Sequence, residues 1–442
     1  METKSLKKSI SFVQTISLVI GTIIGSGIFL KSGIVFKNAG SPMKGILAWV
    51  IGGVVTLCSA LTIAEIAGAI PKSGGLYVYL EELYGEKVGF LLGWVQSIIS
   101  YPASTAALAI AFAGFASFFV KMNDTQTKLL AIGVLLLVLI MNILSTKYGG
   151  IIQTVSTIGK LVPIVLIVLV GFFKGEVGSP MSTFSVVGNA SLGAAVLGTL
   201  WAYDGWIGAT NVADEMKNPK KDLPKALILG VSSVIAVYCI FNFVILKVLS
   251  FDGAIASAEP ATDVAIKLFG TMGGTFIVIG IMVSVFGTLN GYLMTGGRVP
   301  FVMGTKGQLP FANFLGKVHP KFSTPSNALI VQAILSIAYI YSGSFETLTN
   351  MLVFVLWIFF VLGVISIFIL RKKSKNGEYN QDGYKVPLYP IVPLIGIVGG
   401  IYILVSTIMD SPVNSIIGIA ITLLGLPIFV YIKSKGKDKS TK

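Results

Sequence analysis

Charge is scarce in this chain. Only 12% of its 442 residues are Asp, Glu, Lys or Arg, whereas 54% are hydrophobic, and the mean hydropathy is +0.86. That balance excludes an ordinary soluble domain, about a quarter of which is charged. The only cysteines, Cys58 and Cys239, lie inside apolar runs, so they read as small buried hydrophobes and not as a disulfide framework. The single histidine, His319, precedes Pro320 in a loop and reads as a solvated residue, not as a proton relay. Neither a Gly-x-x-x-x-Gly-Lys-[Ser/Thr] loop nor His-Glu-x-x-His occurs, so ATP hydrolysis and zinc proteolysis lack their usual signatures. No cofactor or metal is implied.

What the chain has instead is a series of apolar runs of about 20 residues, from Ser11 to Ile432, each long enough to cross a lipid bilayer. The first follows Lys4, Lys7 and Lys8 like a secretion signal, but it is too long and no small-residue cleavage site follows it, so it reads as a retained helix. The formal charge of +14 does not mark a nucleic-acid binder, because no basic stretch interleaves with aromatics on a polar module. It crowds instead into alternate loops: the N-terminus, Lys217 to Lys225, Arg298 to Lys321, Arg371 to Lys385, and the tail from Lys433. Under the positive-inside rule these loops and both termini are cytoplasmic, and the number of spans is even.

Spans are expected near 8–36, 44–70, 87–120, 128–145, 149–173, 191–215, 225–249, 268–303, 326–342, 346–371, 389–409 and 413–432, about twelve in an all-α membrane protein. The third and eighth runs exceed a simple span and are expected to tilt or to continue as short cytoplasmic helices. Pro71-Lys72-Ser73-Gly74-Gly75 breaks the chain before an amphipathic stretch, Leu76 to Tyr84, expected near the inner face. Two spans are interrupted. Gly21 to Phe29 places three glycines in mid-membrane, and Trp201 to Gly208 places Asp204 beside Gly205 at similar depth. These are the opening helices of two five-span halves, 8–173 and 191–371, within one domain of 1–442 that ends in two further helices over 389–432. Because five is odd, the halves start on opposite sides of the membrane, the layout of an inverted repeat whose paired broken helices form the binding site.

A broken helix suits an amino acid. The half-helix from Ser26-Gly27-Ile28 offers free N–H groups to a carboxylate, and carbonyls freed around Ile23 and around Trp201 to Asp204 can accept from an ammonium. The candidate substrate contacts are Ile23, Gly25, Ser26, Gly27 and Ile28 in the first break and Trp201, Ala202, Asp204 and Gly205 in the second. Bland readings stand beside these: close helix packing for the glycines, backbone capping for Asp204, a packed aromatic for Trp201. Lys160, well inside the fifth span, is either a fixed cation bracing the first break or a titrating amine, with Ser284 and Thr288 offering it oxygens from span eight. Purely structural pairing with a carbonyl is its bland alternative. Glu65 is expected to pair with a loop lysine and to have no transport role, and Tyr101-Pro102 reads first as packing, with a kink of span three near the site as the alternative.

Taken in order, Gly21 to Phe29, Glu65, Pro71 to Tyr77, Tyr84-Gly85, Gly93-Trp94 and Thr146 to Gly149 form a recognisable set. Gln153, Lys160-Leu161, Tyr203 to Trp206, Asn218-Pro219, Leu223-Pro224, Phe286 to Gly291, Arg298 and Leu309-Pro310 complete it. The set resembles the amino acid, polyamine and organocation transporter superfamily, and within it the L-amino-acid transporter family, near its bacterial serine/threonine and alanine-serine-cysteine exchangers. The resemblance implies a LeuT-type fold and sodium-independent, one-for-one exchange of small neutral amino acids such as alanine, serine, threonine and cysteine. It implies that Ile23, Ser26, Gly27, Trp201 and Asp204 sit at the substrate's amino and carboxyl groups. Lys160 would stand where sodium-coupled relatives hold a cation. Trp201 departs from the phenylalanine often found there. Animal relatives carry an external cysteine that bonds a heavy chain, and the loop around Met122-Asn123-Asp124 has none, so no disulfide-linked partner is expected. Three readings compete: a proton symporter with Lys160 as carrier, a membrane-embedded enzyme, which would want more convergent acid and base groups, and an ion channel, which would want a continuous polar pore.

Overall fold

Ser11 starts the first helix, α1 (Phe12–Ile23). Its hydroxyl accepts from the Gln14 N–H, and Gln14 accepts from the Ser11 N–H at 2.9 Å, a capping box. The helix stops where Ile24 turns to ψ 91° and resumes as α2 (Gly27–Ala39), which ends at left-handed Gly40, φ 71°. Next come α3 (Pro42–Ala69), opened by Pro42 and capped by Ser41, and the expected α4 (Leu76–Tyr84). A five-residue π-helical turn, Gln96–Ser100, joins α5 (Glu86–Val95) to α6 (Tyr101–Ala116). Pro102 accounts for the turn: a proline ring clashes with the carbonyl four residues back, here that of Ile98. That carbonyl accepts instead from the Tyr339 hydroxyl at 3.3 Å.

After α7 (Asp124–Leu144) and α8 (Thr146–Lys174), α9 (Leu192–Tyr203) ends in the second break. Asp204 is extended there, Gly205 takes φ 104°, and a 3-10 helix, Trp206–Glu215, continues the span. Both α10 (Pro219–Ala256) and α11 (Pro260–Gly296) bend once, at Ser250 and Gly270. The overlong eighth run continues as α12 (Arg298–Thr305), followed by α13 (Ala312–Leu315), α14 (Ser326–Ser342) and α15 (Phe345–Lys375). Last are α16 (Ile391–Asp410), α17 (Pro412–Leu423) and α18 (Gly425–Ser440). The computed structural model describes residues 8–144, 146–174, 190–342, 345–379, 383–410 and 412–440, and among these no strand occurs. Among the described residues ten helical segments are long and apolar enough to cross a membrane. Two of the expected spans are shorter: α9 has 12 residues before its break, and α14 has 17.

Polar latches join helix ends and the segments that follow them. The backbone of Ser9 and Ile10 donates to the Glu215 carbonyl, both at 2.9 Å, and Lys217 N–H donates back to Ile10 at 3.0 Å. Glu215 itself pairs with Arg298 at 2.8 Å, with neither side chain more than 1% exposed. Glu65 pairs with Arg371 of α15, at 3.0 and 2.9 Å, and not with the expected lysine; it also accepts from the Val386 N–H. Arginine's planar fork matches both carboxylate oxygens, which an ammonium cannot do. On α4, burial works against a charge on Glu82, but Lys72 and the Tyr379 hydroxyl outweigh it and hold this carboxyl below its ordinary range. His319 caps its own turn, accepting from the N–H groups of Lys321 and Phe322.

Because Arg298 and Glu215 are fully buried, removing one strands the other's charge, at a cost of about 3–5 kcal/mol. Arg298→Ala should therefore lower the heat-unfolding midpoint in detergent, and Arg298→Met combined with Glu215→Leu should recover most of the loss. Equal losses in the single and double variants would contradict this account of the pair.

Candidate functional site

The two breaks meet. The Thr22 hydroxyl lies 3.1 Å from the Gly205 carbonyl, and a Cβ on Gly205 would stand 2.6 Å from the Thr22 carbonyl oxygen, so this contact requires glycine for space as well as for its positive φ. The Tyr238 hydroxyl of α10 reaches a freed carbonyl on each side, Ile23 at 3.0 Å and Ala202 at 2.9 Å.

Lys160 lies at the centre of the first break and is 0% exposed. Its ammonium donates to the carbonyls of Gly21, at 2.7 Å, and Ile24, and to the Thr288 hydroxyl at 3.0 Å. Three N–H donors thus meet three oxygens, which satisfies the charged form of the side chain. Thr288 is in turn 2.9 Å from both of those carbonyls. Ser284 takes part differently from expectation: its hydroxyl donates to the Ile24 carbonyl at 3.2 Å, beside the lysine.

The glycines of the first break serve packing. A Cβ on Gly25 would meet Thr288 at 2.9 Å, and one on Gly27 would meet the Ala202 backbone at 2.6 Å. Ser26 differs. Its hydroxyl is buried with no hydrogen-bond partner among the described residues, at the start of a helix whose first N–H groups have no intrahelical acceptor. A polar atom left so is what a bound carboxylate would satisfy.

On the Asp204 side lies a small cavity of about 10 Å³, room for about one water, lined by Thr22, Gln96, Ser100, Asp204, Gly205 and Tyr292 among others. Asp204 accepts from the Tyr292 hydroxyl of α11 at 2.8 Å, so its carboxylate both joins the unwound backbone to a neighbouring helix and faces the cavity. Of the expected contacts, Asp204 and Gly205 line this cavity; Ile23, Gly25, Ser26, Gly27, Ile28, Trp201 and Ala202 lie in the breaks without lining it. Trp201 is buried and its carbonyl accepts from the Asp204 N–H at 3.3 Å. Sequence reasoning missed Tyr238, Tyr292 and Gln96, because one tyrosine or glutamine in an apolar span carries no pattern. It also missed Lys31, buried in α2. Among the described residues no three His, Cys, Asp or Glu side chains converge as metal ligands.

Comparison with known proteins places the chain in a family. The sequence profile of the amino acid permease family matches residues 10–432. The chain is 42% identical over 435 residues to the serine/threonine exchanger SteT of Bacillus subtilis, an alignment covering 98% of this chain and 99% of that one. It is 32% identical to the Asc-type amino acid transporter 1 of Mus musculus, over 99% of this chain and 84% of the relative. With the large neutral amino acids transporter small subunit 2 of Homo sapiens it shares 31%, over 98% and 82%. The chain therefore belongs to the amino acid permease family and is a multi-pass membrane transporter of amino acids, not an enzyme.

Proposed function

We propose that this transporter exchanges small neutral amino acids, such as alanine, serine, threonine and cysteine, without sodium and by alternating access. The observation that carries the reading is the Lys160 ammonium, which bonds to the freed carbonyls of the first break and supplies there a positive charge that needs no dissolved cation. The exchanger named among the relatives supports exchange, and the Asc-type transporter supports amino acid substrates generally.

In this reading the substrate's carboxylate docks on the N–H groups of Ser26 to Ile28 and on the orphaned Ser26 hydroxyl. Its ammonium docks on second lone pairs of carbonyls at Ile23 and at Trp201 to Asp204, and buried Trp201 limits the side chain to a small one. A cavity of about 10 Å³ is too small for an amino acid, so binding requires the helices around the breaks to part. The two repeats, 8–173 and 191–371, then rock against each other, with 389–432 outside them and both termini on the cytoplasmic face of the cell membrane.

Two outcomes are expected. Proteoliposomes loaded with unlabelled serine should take up labelled serine in sodium-free buffer at the rate seen with sodium, whereas unloaded vesicles should take up little. Equal uptake by loaded and unloaded vesicles would refute exchange, and dependence on sodium would refute the role given to Lys160. The methyl esters of alanine and serine should compete at least about tenfold more weakly than the parent acids, because an ester cannot accept charge-assisted bonds from the N–H groups. An ester as potent as its acid would displace the carboxylate from the first break.

A further inference from the structure

Beside the two breaks, the third span also leaves α-helical geometry. Its π turn closes with the Tyr101 N–H donating to the Gln96 carbonyl five residues back, so the register of the span shifts where Pro102 forbids an ordinary turn. Two side chains of this turn, Gln96 and Ser100, line the cavity together with Asp204 and Gly205 of the second break. Gln96 is 1% exposed, and its amide oxygen has no hydrogen-bond partner among the described residues. The acidic group nearby does not supply a donor: Asp204 already accepts from Tyr292. The wall of the cavity therefore holds a buried acceptor that lacks a proton.

We propose that Gln96, with Ser100 beside it, reads the side chain of the transported amino acid and favours a hydroxyl there. The inference rests on the reading of this site as the amino acid site. Serine and threonine bring an O–H that donates to the Gln96 oxygen once the cavity widens to admit them. Alanine and 2-aminobutyrate fill nearly the same space but bring no donor to that buried oxygen, and an unmade bond to a buried polar group is what separates such pairs of substrates. The preference thus originates in Pro102, which imposes the π turn that carries Gln96 and Ser100 to the cavity.

The test measures competition by serine, alanine, threonine and 2-aminobutyrate against counterflow of a labelled substrate in proteoliposomes, for the wild type, Gln96→Leu and Gln96→Glu. Gln96→Leu should weaken serine and threonine about tenfold while alanine and 2-aminobutyrate move less than about threefold. Gln96→Glu, which keeps an acceptor, should retain the preference. If Gln96→Leu does not accumulate, Gln96→Met, closer in length, carries the same comparison. A parallel loss for both members of each pair, or no change in their ratio, overturns the assignment. A wild-type protein on which none of the four amino acids competes overturns the reading of small neutral amino acids as the substrates, and that result appears before any variant is made.

Discussion

The bond between the Lys160 ammonium and the carbonyls of Gly21 and Ile24 is the interaction on which the rest depends. A helix interrupted inside a bilayer exposes backbone groups that water cannot reach, and each one left unsatisfied costs several kcal/mol. A buried ammonium has the complementary problem, since it needs three acceptors and finds few in apolar surroundings. Each defect resolves the other. Thr288 and Ser284 of α11 complete the arrangement, so α1, α8 and α11 are tied at one point.

From that point the site assembles by contact between defects. The first break rests on the second through Thr22 and Gly205, and Tyr238 spans the carbonyls of both. The π turn of the third span supplies the remaining wall. The second break and the π turn therefore line one small cavity, which the first helix reaches through Thr22, next to its break. The latches at Glu215 and Glu65 lie elsewhere in the chain and join helix ends to loops, so they fix the frame around a centre whose volume must change.

Much of this was legible in the sequence, because membrane insertion writes itself in composition. Apolar runs marked the membrane helices, ten of which are long enough to span among the described residues, and Gly21 to Gly27 and Asp204-Gly205 marked both breaks, although the glycines of the first also serve packing. Lys160 stood out as a charge inside a span and met the first break and Thr288 as expected. Partners chosen by geometry were not legible. Glu65 meets an arginine because the end of α15 passes it, and Ser284 serves the Ile24 carbonyl because one hydroxyl already occupies the lysine. Gln96 was invisible for a different reason. In the sequence Pro102 reads as packing before it reads as a kink, and only the three-dimensional register of the π turn decides which side chain is turned inward.

In the proposed exchange Lys160 keeps its proton throughout the transport cycle and acts as a fixed cation. The rival, a lysine that releases and regains a proton each cycle, would couple transport to pH. Vesicles free of internal amino acid, given an inward proton gradient and labelled serine, separate the two most directly. The fixed cation predicts that the gradient drives no accumulation; uphill uptake of serine that collapses with the gradient would contradict it.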